Sequence, residues 1–187
     1  MKKLSLFVIL AVFFTLFTAC SDDDDGGVRA PLDIPTEAKD IEIPFATITG
    51  VKLPVVGPFK LDVDMDEVIK DNTAGILSLD NVKKAELVDF TVTLQDSSFK
   101  GDLSAIKDMD IYIYAKNPSV EEIKVAEVRG NKQKDKIDFD IVYDGDMKDY
   151  FESDDIYLVL KDIVPGDESL TTFTITAKPV WKATFGL

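Results

Sequence analysis

The sequence predicts an all-β, mainly antiparallel fold: an immunoglobulin-like or related β-sandwich with two or three short helical turns. Residues 59–65 alternate apolar and charged side chains, which is the period-two pattern of a strand with one face in solvent. Similar strand patterns recur along the chain between short turns. The helical patterns are too short for the crossovers that join parallel strands, so we expect antiparallel pairing. The Cys-Trp-Cys core of antibody domains is absent, so the prediction concerns the architecture alone.

In the first half of the folded region, strand patterns precede one short helix. Residues 41–43 and 45–53 are rich in isoleucine, valine and threonine, which favour strands. The alternating strand 59–65 follows. Asp66 is then a candidate N-cap, and it predicts a helix of about two turns over 66–71.

The second half continues the strand pattern with two more short helical turns, over 101–107 and 146–151. The final strands are expected to form a bent pair around Pro179, because proline lacks the N–H that a ladder needs. The strands predicted in this half are 87–94, 111–114, 137–141, 156–160, 171–177 and 180–185.

The composition excludes several kinds of chemistry. The chain has 187 residues, a formal net charge of −14, no histidine and one cysteine. Without histidine there is no Ser-His-Asp or Cys-His nucleophile and no histidine-ligated metal. One cysteine cannot form an intramolecular disulfide or a cysteine cluster. The acidic balance argues against a nucleic-acid partner, because duplex affinity comes mostly from Lys and Arg. We expect no cofactor.

The N-terminus has the pattern of a secretory signal peptide over residues 1–19. Lys2 and Lys3 supply the positive start, residues 4–17 form an apolar segment, and small residues follow. The apolar segment is shorter than the roughly 20 residues that a membrane-spanning helix needs. Cleavage is therefore favoured over a permanent transmembrane anchor.

The chain's one cysteine stands at the expected cleavage point. The run Leu16-Phe17-Thr18-Ala19-Cys20 resembles the lipobox of bacterial lipoproteins, although Phe17 replaces the usual aliphatic residue. This resemblance implies cleavage before Cys20 and lipidation of its thiol and new amino group. Several acyl chains would anchor the protein durably, as palmitate-type anchors do, since each buried CH₂ contributes roughly 0.8 kcal/mol.

An acidic run follows the cysteine directly. It resembles the lipoprotein export signal of Bacteroidetes, which implies an outer-membrane lipoprotein facing the cell exterior. Retention on the periplasmic face is the alternative. The residues that carry this resemblance are Ser21, Asp22, Asp23, Asp24 and Asp25.

Composition also sets the expected domain limits. Four adjacent aspartates, two glycines and two prolines give residues 20–38 the composition of a flexible tether. The remaining residues, 39–187, are enough for a single β-sandwich domain with its own core.

Acidic loops are weak candidates for calcium. Residues 62–73 begin with the acid spacing of an EF-hand loop but lack its sixth-position glycine and twelfth-position glutamate, so that motif is rejected. The loop residues Asp144, Asp146 and Asp149 could hold a weakly bound ion. Solvated turn residues and helix caps are the favoured interpretation, so no metal is expected.

Aromatic side chains are the other candidates for recognition. Tyr143, Tyr150 and Tyr157 lie near the second helical corner and are weak ligand-binding candidates, with burial in the core as the favoured alternative. Tyr112 and Tyr114 share one face of a strand that is apolar on both faces, which favours core positions. Trp181 is expected to be a core anchor.

The sequence therefore favours a non-catalytic binding or structural accessory module, anchored by lipid and facing a protein or glycan partner at the cell surface. A glycan hydrolase that uses two carboxylates remains an alternative, since that mechanism needs no histidine. A carrier that holds a small apolar ligand between the sheets is a second alternative.

Overall fold

The computed structural model describes residues 29–35, 39–43, 53–61, 63–95, 102–116, 120–153, 155–165 and 173–186. The predicted signal peptide, Cys20 and the acidic run after it lie outside the described residues. Within these ranges, no helix is both long enough and apolar enough to cross a membrane.

Two antiparallel sheets enclose one core, which confirms the predicted all-β sandwich. The first sheet has the order β1-β10-β4-β7, with β2 also paired to β10, and the second has the order β3-β9-β5-β6-β8. The strands are β1 Arg29–Pro35, β2 Lys39–Ile43, β3 Leu53–Leu61, β4 Val82–Leu94, β5 Ile106–Ala115, β6 Ile123–Val128, β7 Lys136–Asp138, β8 Asp140–Ile141, β9 Ile156–Pro165 and β10 Phe173–Gly186.

The helical segments are short, as predicted. The side chain of Asp64 accepts a hydrogen bond from the backbone N–H of Glu67 at 3.0 Å and caps the first helix. Asp66, the predicted cap, instead accepts from the backbone N–H of Leu79 at 2.9 Å and ties the helix to the next turn. The helices are α1 Met65–Asn72 and α2 Lys148–Phe151, with 3₁₀ turns at Leu79–Asn81 and Leu103–Ala105.

Side-chain alternation on the strands builds the core. On β5, Ile111 and Ile113 are fully buried. Tyr112 and Tyr114, which were expected in the core, are instead half-buried on the outer face of the second sheet, because successive side chains of a strand point to opposite faces. Trp181 on β10 is buried, as expected of a core anchor.

The C-terminal strand differs from its prediction. Residues 173–186 form one continuous strand, and not a pair bent at Pro179. On one side of β10, β2 pairs with residues 173–177 and β1 pairs with residues 180–186. Pro179 lies at the step between these two partners, where its missing N–H interrupts neither ladder.

The predicted strand 137–141 divides between the two sheets. β7 pairs with β4 in the first sheet, whereas β8 pairs with β6 in the second. Phe139 lies at the crossing point, where its backbone N–H donates to Phe90 O at 3.0 Å and its ring meets that of Phe90 edge-on at 5.4 Å. This crossing brings the segment after β8 next to β4.

Two strands extend the fold beyond the sequence prediction. β1 falls within the tether expected over 20–38, yet it pairs with β10 along its whole length. Its Ile34 is fully buried, so this part of the expected tether belongs to the sheet. β6 has no counterpart among the predicted strands.

Candidate functional site

The three candidate tyrosines occupy three different environments. Tyr150, on α2, is only 5% exposed, and its hydroxyl donates to Glu121 O at 2.5 Å. Burial, with smaller contributions from the nearby Tyr143, Glu121 and Asp149, raises the pKa of Tyr150 to about 12. This hydroxyl holds α2 against the loop before β6, so Tyr150 has a structural role.

Replacing Tyr150 by Phe is expected to lower the free energy of unfolding by about 1 kcal/mol near pH 8, because one buried hydrogen bond is lost. A folded-state pKa above the unfolded value of 10 means that native Tyr150 contributes stability below pH 10 and loses it as the pH rises towards 12. The loss amounts to roughly 2 kcal/mol across that window. Tyr150→Phe lacks this loss, so the stability difference should shrink or reverse near pH 12.

Urea unfolding followed by circular dichroism at pH 8, 10, 11 and 12 measures this effect. Tyr112→Phe is the matched control, since Tyr112 is half-buried on an outer sheet face, and it should keep the wild-type profile. Parallel pH profiles for Tyr150→Phe and wild type would contradict the assignment.

Tyr157 belongs to the outer face of the second sheet. Its ring stacks on that of Tyr114 with centroids 5.0 Å apart and planes inclined by 11°. Lys116 Nζ lies 5.6 Å from the Tyr157 centroid, and Lys161 Nζ lies 4.4 Å from that of Tyr112. Each lysine also meets a carboxylate, Asp155 for Lys116 and Glu122 for Lys161. The rings on this face are therefore largely engaged with neighbouring side chains.

Tyr143, in contrast, lines an open pocket of about 430 Å³ between the two sheets' edges. Residues 86–88 of β4 and residues 141–144 form its two walls, and Lys182 of β10 completes it. The pocket is lined by Glu86, Leu87, Val88, Ile141, Val142, Tyr143, Asp144 and Lys182. The pocket therefore contains Tyr143, a predicted ligand-binding candidate, and Asp144, a predicted calcium candidate.

A β-bulge shapes the β4 wall. The pairing of β4 with β10 shifts by one residue between Asp89–Val180 and Leu87–Trp181, which leaves Val88 as the extra residue. Bulges bend the strand and redirect side chains, and they are common beside binding sites. Val88 is 41% exposed, and Val142 on the opposite wall is 46% exposed. The pocket thus carries an apolar surface in contact with solvent.

Gly145 makes room for the Tyr143 ring. A Cβ atom built on Gly145 would lie 2.4 Å from both Cζ and Oη of Tyr143. Any larger residue would push the phenol away, so this glycine allows the hydroxyl end of the ring to rest on the backbone. The position of Tyr143 against the pocket depends on that contact.

The acidic candidates separate in the structure. Oδ1 of Asp146 accepts from Ala85 N and Lys148 N, both at 2.9 Å, so Asp146 ties the loop to β4. Asp144 lines the pocket, and Asp149 lies on α2. Across the part of the chain that the structure describes, no three acidic side chains are grouped as metal ligands.

Two lysines accompany the acids of this region. Lys84 Nζ contacts Glu86 Oε1 at 2.7 Å, and this hydrogen bond raises the pKa of Lys84, with smaller contributions from Asp146 and Asp144. Lys182 lies in the pocket wall. Side chains of both charge signs therefore lie at or next to the opening.

Sequence reasoning missed Glu86, Val88, Val142 and Lys182. One signal was present: Leu87-Val88-Asp89-Phe90 interrupts strict alternation, as a bulge does. The pairing that brings residues 86–88 next to 141–144 spans distant parts of the chain, and no local pattern reveals it.

No family model matches the chain, and no curated protein matches it. Among solved structures, a chain of Desmodium yellow mottle tymovirus aligns over 90% of this chain and 88% of its own length, at 11% identity and a TM-score of 0.27. A chain of turnip yellow mosaic virus aligns over 91% and 88%, at 10% identity and a TM-score of 0.27. Likeness at this level carries no argument about function.

Proposed function

We propose that the chain is a lipid-anchored, non-catalytic binding module of the outer membrane, displayed at the cell surface, with a protein or glycan as partner. Two parts of the molecule support this proposal. The lipobox-like run ending at Cys20 supplies the lipid anchor, and the acids after it supply the export signal. The folded domain supplies the recognition surface.

The observation that carries the binding role is the open pocket beside the Val88 bulge. It lies at the surface and combines exposed apolar side chains with a tyrosine and charged groups. Such a mixture of apolar surface and a few polar groups is typical of ligand sites. A binding module needs no more than this.

The two alternatives find less support in these contacts. A glycan hydrolase needs one carboxyl group kept protonated by apolar surroundings, while Glu86 in the pocket is paired with Lys84 at 2.7 Å. A carrier needs space between the sheets, and there the large side chains of Trp181, Phe90 and Phe185 are packed and inaccessible. The binding role therefore remains the proposal.

Replacing Asp22 to Asp25 together by alanine is expected to move the protein from the cell surface to the periplasmic side. In intact cells, added protease should digest the wild-type chain and leave the variant intact, because the variant lacks the acidic export signal while Cys20 still receives lipid. A variant with four glutamates in these positions is the matched control, since it keeps the charge. A periplasmic protein that stays intact shows that the envelope is sealed. Protease sensitivity that persists in the alanine variant would reduce the acidic run to a tether.

A further inference from the structure

Among the residues that the structure describes, the pocket lies at a gap in the ladder along the edge of β4 that faces away from β10. On one side of the gap, Met147 N donates to Ala85 O at 2.7 Å and Asp146 accepts from Ala85 N, which closes the edge. On the other side, Phe139 N donates to Phe90 O and β7 pairs from Thr91 onward. Alternation along an antiparallel strand directs the backbone N–H and C=O of Leu87 to the same edge as those of Ala85.

The length of the gap limits what can occupy it. Residues 86–89 span about 10–13 Å of strand. A typical strand covers roughly 17–20 Å, so an added peptide strand would find few ladder partners here. The volume of about 430 Å³ falls in the range of small-molecule sites. A compact ligand fits this gap better than an extended peptide does.

The lining calls for a ligand with one apolar face. Val88 and Val142 present exposed methyl groups from opposite walls, and Tyr143, which is half-buried against the core, also lines the pocket. A flat arrangement of C–H groups can pack on such a surface and on an aromatic face. Glu86, Asp144 and Lys182 then surround the apolar area with two acceptors and one donor.

The charges of the lining favour an uncharged ligand. Lys84 pairs with Glu86 at 2.7 Å, and the pocket lining holds one further acid, Asp144, and one base, Lys182. An ionic ligand would therefore find no excess of the opposite sign. Hydroxyl groups suit this set, because each can donate to a carboxylate and accept from an ammonium group.

We propose that this pocket binds one neutral hexopyranose unit of a glycan. The C–H face of the sugar packs on Val88, Val142 and the Tyr143 ring, and its hydroxyls donate to Asp144 and Glu86 and accept from Lys182. This inference rests on the binding role proposed above and names the ligand class for that site.

Ligand-observed saturation-transfer NMR tests the proposal on the full chain, held in a detergent without a sugar head group. The probes are the methyl glycosides of glucose, galactose, mannose and N-acetylglucosamine, with methyl glucuronide and glucosamine as charged comparators. At least one neutral glycoside should receive transfer on its ring C–H protons, with a dissociation constant on the order of 1–10 mM. Transfer only to the charged comparators, or to no neutral glycoside at about 50 mM, would overturn the proposal.

Two variants assign the site. Tyr143→Ala and Asp144→Asn should each weaken binding by about tenfold or more, because one removes the stacking surface and the other an ionised acceptor. Tyr112→Ala removes a half-buried tyrosine from the outer face of the second sheet and should bind like wild type. Unchanged near-ultraviolet circular dichroism confirms that Asp144→Asn is folded.

Binding that survives in both Tyr143→Ala and Asp144→Asn would place the sugar elsewhere and refute the pocket assignment. The result is separate from that of the protease experiment. Surface display depends on residues near Cys20. Loss of display with retained sugar binding therefore refutes only the proposed export signal. Retained display with no sugar binding refutes only the pocket assignment.

Discussion

In a Cys20→Ala chain, incorporation of an alkyne-tagged palmitate analogue is expected to fall to background. Lipidation of the lipobox type requires the cysteine thiol, and the chain contains no second cysteine that could take its place. Each buried CH₂ contributes roughly 0.8 kcal/mol to membrane binding, so losing several acyl chains removes tens of kcal/mol of anchoring. In-gel fluorescence after coupling to an azide dye measures the incorporation in growing cells.

Ser21→Ala is the matched control for this experiment, since it changes the adjacent residue and keeps the thiol. It should label like the wild-type chain. Immunoblotting of the same gel must show that both variants are made in equal amounts. Label that remains on Cys20→Ala at the wild-type level would contradict the lipoprotein assignment and, with it, the membrane half of the proposed function.

The sequence anticipated those elements whose patterns are local. The alternation of Ile111 and Ile113 with two tyrosines predicted β5, and Asp66, as a candidate cap, predicted the start of α1 to within two residues. The cap itself moved from Asp66 to Asp64, because Asp66 is drawn to the backbone N–H of Leu79. Hydrophobic period and capping chemistry depend only on near neighbours, so they can be recognised without the fold.

Elements that depend on distant pairing were not anticipated in the same way. β1 has two prolines within seven residues and looks like a linker, yet β10 supplies a partner for every one of its residues. The run 137–141 has one continuous alternation, and only the positions of β4 and β6 decide that it divides at Phe139. Such outcomes follow from tertiary contacts, which outweigh local propensity.

The candidate site shows the same division. Tyr143 and Asp144 were singled out for different reasons, one as an aromatic ligand contact and the other as a calcium candidate. The structure brings both into one pocket with Glu86 and Lys182, which lie on other strands. The sequence indicated Tyr143 and Asp144 separately but not that they share a pocket. The Val88 bulge and the gap at the β4 edge depend on the pairing of β10 and β7 with β4, which no local pattern predicts.

The last prediction concerns Trp181 in the hydrophobic core. Trp181 is 2% exposed on β10, and its ring meets that of Phe151 edge-on at 5.1 Å, so it joins α2 to the first sheet. Trp181→Ala should lower the free energy of unfolding by about 3–5 kcal/mol, through lost burial and the cavity left behind. That is a large part of the roughly 5–15 kcal/mol that holds a domain folded, and it corresponds to a melting temperature lower by about 6–20 °C. Thermal and urea unfolding followed by far-ultraviolet circular dichroism measure it, since the variant lacks tryptophan fluorescence.

Ile76→Ala is the control, because Ile76 is 74% exposed and its loss should change stability by no more than about 0.5 kcal/mol. If Trp181→Ala lowered the free energy of unfolding as little as Ile76→Ala does, Trp181 would not be the anchor between α2 and the first sheet. The packing that argues against a carrier would then lose its main support.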